Sequence, residues 1–133
     1  MRPIVIEFNR HTLTGALLDD LAPEICRRIW QQLPLEGETT NATWCGEMLH
    51  LWVEIAGPEQ AENVAQLDNP GDILFIPQWK GLGFVYGQAR MQGPSGPIPV
   101  PRVGRIRGDL TSLAEFAHKI AWEGARPMRI KRG

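Results

Sequence analysis

Apolar and polar positions alternate in short runs along most of this chain, and only two stretches carry a helical repeat. Pro3 to Phe8 is apolar and β-branched, and Thr12 to Leu17 follows after Asn9-Arg10. That pattern predicts a strand, a turn and a second strand. From Met48 to Ile55, Leu49, Leu51, Val53 and Ile55 alternate with His50, Trp52 and Glu54, as on a strand with one buried face. Ile73 to Ile76 is a short apolar strand stopped by Pro77, and Leu82 to Tyr86 is another, flanked by Gly81 and Gly87. Val103 to Arg107 and Met128 to Lys131 complete the strand candidates.

The first helical repeat is Leu21, Ile25, Ile29 and Leu33, with Cys26 and Trp30 beside it. Asp19-Asp20 offers caps, Pro23 suits the first turn, and Pro34 stops the helix. The second repeat is Leu110, Leu113, Phe116, Ala117, Ile120 and Ala121. Asp109 is its expected N-cap, Ser112 to Glu115 an alternative capping box, and Gly124 its C-cap. Gly37 to Asn41 reads as a polar loop, and Thr43-Trp44 as the return of apolar structure. Gly57 to Asn69 reads as polar chain with at most one helical turn, and Asn69-Pro70-Gly71-Asp72 as a tight turn.

With Thr43-Trp44 counted, the tally is eight short strands and two helices. One helix follows the first hairpin and the other lies between the last two strands. A mainly β fold satisfies this order: a closed eight-stranded barrel with a helix over each end, since closure leaves no strand edge exposed. The 133 residues suit one domain, 1–133.

Composition sharpens the picture. The chain has 14 Gly and 11 Pro, which argues against a helical bundle because both weaken helix interiors. Thirteen of them fall between Pro70 and Gly104, so the excess marks the second half of the barrel. Gln88 to Pro101 has no periodicity, and a stretch of that length inside a compact domain is usually functional or mobile. Net charge is −1, which supplies no field for nucleic acid or an anionic membrane. Residues 1–101 carry −6 and residues 102–133 carry +5, as expected if the two stretches neighbour each other and cancel. The start, MRPIVIEFNR, shows no signal pattern, and no run approaches a membrane span. With two cysteines, Cys26 and Cys45, the expectation is a cytoplasmic protein with free thiols.

Several short motifs then fall in order. They are Leu33-Pro34 after the first helix, Asn41-Ala42-Thr43-Trp44-Cys45-Gly46-Glu47, Pro70-Gly71-Asp72-Ile73 running into Pro77, and Gly108-Asp109-Leu110 with a helix to Trp122-Glu123-Gly124-Ala125. In these the chain resembles a bacterial cyclophilin-like family of uncharacterised proteins. The resemblance covers nearly the whole chain. It implies a cyclophilin-like closed β-barrel and no assigned activity. Isomerase cyclophilins place an Arg near the third strand, to donate toward the amide being twisted. This sequence has Thr43-Trp44-Cys45-Gly46 there and no Arg from 29 to 89, which argues against peptidyl-prolyl isomerase activity.

The candidate chemistry is sparse. Trp44, Cys45 and Glu47 bring an aromatic wall, a thiol and a carboxylate within four residues. Cys45 is equally a small buried residue, because free Cys is among the most buried types. No paired His and no CxxC motif occurs, so neither a metal nor a cofactor is expected. Gly81 to Gly87 fails the phosphate-loop test, since no helix follows, and its glycines read as bends or close backbone approaches. Trp79 and Lys80 sit in a turn, Tyr86 is the only Tyr, and Arg102 follows the Pro-rich stretch. The first expectation is a small polar or anionic metabolite bound in a cleft of Trp44, Cys45, Glu47, Trp79, Lys80, Tyr86 and Arg102. Two alternatives stand beside it. One is an enzyme, a degenerate isomerase or a hydrolase using Cys45 or Glu47. The other is a homo-oligomeric interaction module acting through residues 93–101.

Overall fold

The computed structural model of this protein describes residues 1–57, 61–65 and 68–133. Its strands are β1 (Arg2–Phe8), β2 (His11–Leu17), β3 (Leu35–Asn41), β4 (Gly46–Trp52), β5 (Val64–Ala65), β6 (Asp72–Ile76), β7 (Gly81–Ala89), β8 (Gln92–Gly93), β9 (Gly96–Pro97), β10 (Val100–Arg107) and β11 (Arg126–Arg132). Two α-helices, α1 (Pro23–Gln32) and α2 (Thr111–Glu123), and two short 3-10 turns, Thr43–Cys45 and Pro77–Trp79, complete it. The main sheet runs β2-β1-β11-β3-β4-β7-β6-β10, and β10 pairs back onto β2, closing an eight-stranded antiparallel barrel. β5 adds to the Val100 end of β10, and β8 and β9 form a separate small hairpin.

Inward-facing Ile4, Ile6, Phe8, Leu49, Leu51, Phe84, Met128 and Ile130 fill the barrel. The helices close opposite ends. Ile25, Cys26 and Ile29 of α1 join this core, and the Gln32 side chain ties α1 to Ala56, beyond the end of β4. At the other end, α2 inserts Leu113, Phe116, Ala117 and Ile120, with Phe116 against Phe8 at 4.9 Å between ring centroids. The expected fold class is therefore the observed one, a mainly β closed barrel with two helices.

Several local expectations are corrected. Gly37 to Asn41 is not a loop but most of β3. Its outward side chains are polar because they face water, and Gly37 is required because a Cβ there would lie 2.2 Å from the Trp52 carbonyl. Thr43-Trp44 is not a strand but part of the 3-10 turn that carries β3 into β4. Asp19 does not cap α1. It accepts the Arg2 N–H at 2.8 Å, and the α1 amides of Glu24 and Ile25 donate instead to the Glu62 carboxylate. Leu21 is exposed rather than part of the buried helix face. Asp109 does act at the start of α2, accepting the Thr111 N–H at 2.8 Å. Of the polar Gly57 to Asn69 stretch, residues 58–60 and 66–67 lie outside the described residues, and Val64–Ala65 is strand.

The stretch from Gln88 to Pro101 folds flat against the outside of the barrel. Met91, Ile98 and Val100 pack there with Cys45, Met48, Leu74, Ile76 and Val85, forming a second apolar core on the outer face of β4, β7 and β6. Every residue of β6 is buried as a result. Arg90 N–H donates to the Cys45 carbonyl, and the Asp68 carboxylate accepts the Met91 N–H at 2.7 Å.

Candidate functional site

Beside the outer core lies an apolar groove of about 410 Å³, lined by Trp44, Trp79, Gln92, Gly93 and Pro94. Each wall has a distinct origin. Trp44 stands on the turn between β3 and β4, and Trp79 on the turn between β6 and β7. Gln92, Gly93 and Pro94 belong to the small hairpin folded back from β7. The two indoles meet edge to face, with centroids 5.4 Å apart. The Gln92 amide donates to the Trp44 carbonyl, which holds the hairpin against the Trp44 turn.

Beneath Trp79 lies His50, only 1% exposed. Its Nε2 lies 2.9 Å from the Trp79 carbonyl oxygen. As the donor in that bond, Nε2 carries the proton of the neutral ring. The His50 ring also meets Trp52 edge-on at 4.3 Å and Trp79 at 6.1 Å. Nδ1 is buried with no hydrogen-bond partner among the described residues. Burial holds the His50 pKa below its ordinary value, against the opposing pull of the Trp79 and Lys80 backbone. The sequence offers no motif for His50. Its strand alternation with Trp52 was the one available signal.

Of the residues expected at a single cleft, Trp44 and Trp79 meet at this groove, and Cys45 lies directly behind it. Cys45 is buried, donates to the Gln92 carbonyl and packs 4.0 Å from the Met91 sulfur. Burial raises its pKa, so the thiol stays protonated and is a weak nucleophile. Cys26, in the core, is pushed up to about 12, chiefly by burial.

The other four lie elsewhere. Lys80 is held at 3.2 Å by Glu54, beside a different surface hollow near α1. Arg102 stands 3.3 Å from Asp72, which also binds Arg105 at 3.0 Å. Tyr86 points toward α2, because one residue along β7 from outward-facing Val85 reverses the side chain. Its hydroxyl donates to Asn41 Oδ1 at 3.0 Å, and its ring meets His118 edge-on. Burial raises the Tyr86 pKa, and the nearby Glu47 carboxylate adds to that. Glu47 accepts the Gln88 N–H and fills the space left by the missing Cβ of Gly87. Gly81 and Gly83 are likewise sites of close approach, as their spacing suggested. Among the described residues, no cluster of His, Cys, Asp and Glu is arranged to hold a metal. Among the described residues, no helix is long and apolar enough to cross a membrane.

Comparison with known proteins agrees with this architecture. The family described as "Protein of unknown function (DUF3830)" matches residues 4–132. No curated protein matches the chain. Among solved structures, McbB in complex with tryptophan is similar at a TM-score of 0.78 and 24% identity, over 97% of this chain. This chain spans only 44% of McbB. The hypothetical protein AF2241 from Archaeoglobus fulgidus is similar at a TM-score of 0.71 and 19% identity, over 99% of this chain and 95% of its own. At these identities the likeness is one of fold.

Proposed function

The chain belongs to the DUF3830 family, whose function is unknown, and we propose that it binds a small molecule in the groove lined by Trp44 and Trp79. The observation that carries this reading is a half-exposed indole, Trp44, set against a partly buried one, Trp79, on turns that the barrel fixes. Large rings gain most by burial, so an incompletely buried indole pair lining a concave site marks a place where a ligand completes the packing. The lining bears no charged side chain. Lys80 and Arg102, the cations expected to select an anion, are engaged with Glu54 and Asp72. Recognition in this reading comes from flat apolar contact rather than from charge. It is supported, at the level of fold, by a neighbour whose structure holds tryptophan. The cyclophilin-like resemblance belongs to the same reading, since a closed antiparallel barrel with two helices is the fold it implies.

Titration calorimetry with indole and with L-tryptophan tests the proposal. Saturable binding by the native chain, weakened at least tenfold in Trp44→Ala and in Trp79→Ala, is the expected result. Absence of saturable binding for both probes overturns it, as does binding that both substitutions leave unchanged.

A catalytic reading has less support, because Cys45 is protonated and Glu47 lies apart from the groove. In the interaction reading of residues 93–101, Val100 and Ile98 pack against the barrel wall, which leaves the exposed Pro94, Ser95, Pro97 and Pro99 as the residues that could meet a partner.

A further inference from the structure

Trp52 extends the aromatic surface beyond the groove. It is 44% exposed on the outer face of β4, and Trp44 at the far end is 50% exposed. Between them the rings form an unbroken series: Trp52 against His50, His50 against Trp79, Trp79 against Trp44. Trp52 and Trp79 are no more than about 10 Å apart, because His50 lies 4.3 and 6.1 Å from their centroids.

The Trp52 ring is also fixed. Its Nε1–H donates to Thr40 Oγ1 on β3 at 2.8 Å, and its edge contact with buried His50 sets the tilt. An exposed ring held at two points has already lost the rotamer freedom that ligand contact would otherwise remove. Around it, His50 Nε2 is taken by the Trp79 carbonyl and the Trp52 N–H by Thr40, while His50 Nδ1 is buried with no partner among the described residues.

Building on the binding role assigned to the Trp44–Trp79 groove, we propose that Trp52 is a second stacking station of the same site. The natural ligand is then an elongated small molecule carrying two planar apolar groups. One group sits in the groove against Trp44, Trp79 and Pro94. The other lies against Trp52.

The test compares indole with a bis-indole whose two rings are joined by a flexible alkyl linker long enough to span about 10 Å. Joining two groups that engage two stations makes the second contact intramolecular, which raises affinity by roughly 10²–10⁴. The bis-indole is expected to bind at least tenfold more tightly than indole by calorimetry. Trp52→Ala should remove that advantage, and Trp52→Phe should retain part of it. Both variants change an exposed side chain, and the circular dichroism spectrum checks that each is folded. Indole binding with no bis-indole advantage, or an advantage that survives Trp52→Ala, overturns the second station and leaves the groove reading standing. Failure of both probes to bind overturns both.

Discussion

At the residue scale, His50 is the side chain with the most to reveal. A neutral imidazole is compatible with its surroundings, and a protonated one is not, because Nδ1–H would find no acceptor among the described residues. The Met48, Gly81 and Gly83 neighbours on β4 and β7 carry no charge. The folded pKa therefore lies below the unfolded one. The stability this confers is complete above the ordinary His value of about 6.5. It is lost as pH falls below that value, because the unfolded chain takes up a proton the folded chain refuses. Thermal unfolding followed from pH 8 to 5 should show a falling melting temperature, and His50→Gln should flatten the part of that fall due to this residue. An identical pH profile in the variant would exclude His50 as its source.

At the element scale, β7 and its glycines decide how the groove is walled. Gly81 has φ +155°, and a Cβ there would stand 1.8 Å from the Leu51 carbonyl oxygen. Gly81→Ala must push β7 away from β4 just where the turn carrying Trp79 ends. Its cost in urea unfolding should exceed the roughly 1 kcal/mol of an ordinary substitution. The segment after β7 depends on Met91, which is fully buried in the outer core. Met91→Ala should cost about 2–5 kcal/mol by loss of packing. It should also weaken indole binding, since Gln92 to Pro94 line the groove. Unchanged stability would mean that the hairpin is not held by this core.

At the scale of the whole molecule, barrel closure and charge arrangement meet at Asp72. This buried carboxylate accepts the Asn69 N–H and the Arg105 guanidinium, and stands 3.3 Å from Arg102. Lys131 and Glu7 make a second contact between the basic C-terminal part and the acidic remainder. The opposed charges of the two stretches thus meet across adjacent strands, as their cancellation in the sequence suggested. Asp72→Ala leaves Arg102 partly buried beside no carboxylate of Asp72, and should destabilise the fold by about 1–3 kcal/mol in urea unfolding. An effect confined to a few tenths would show the pair to be solvent-screened.

Strand alternation, the two helical repeats and the Gly-Pro distribution were enough to determine a closed mainly β barrel with two helices, because burial of one face imposes a period that local sequence must carry. They also pointed to the half of the barrel that holds the groove, and to Trp44 and Trp79. They could not show that polar β3 is a strand, since its partners β11 and β4 supply the hydrogen bonds. Nor could they show that Glu62 caps α1 from 37 residues away. The grouping of the candidate residues was decided by tertiary structure alone. Which face of β7 Tyr86 takes, and which acids hold Lys80 and Arg102, depend on strand register and on contacts between distant segments. The Trp52–His50–Trp79–Trp44 series arises in the same way, from two turns and one strand that only the closed barrel brings side by side.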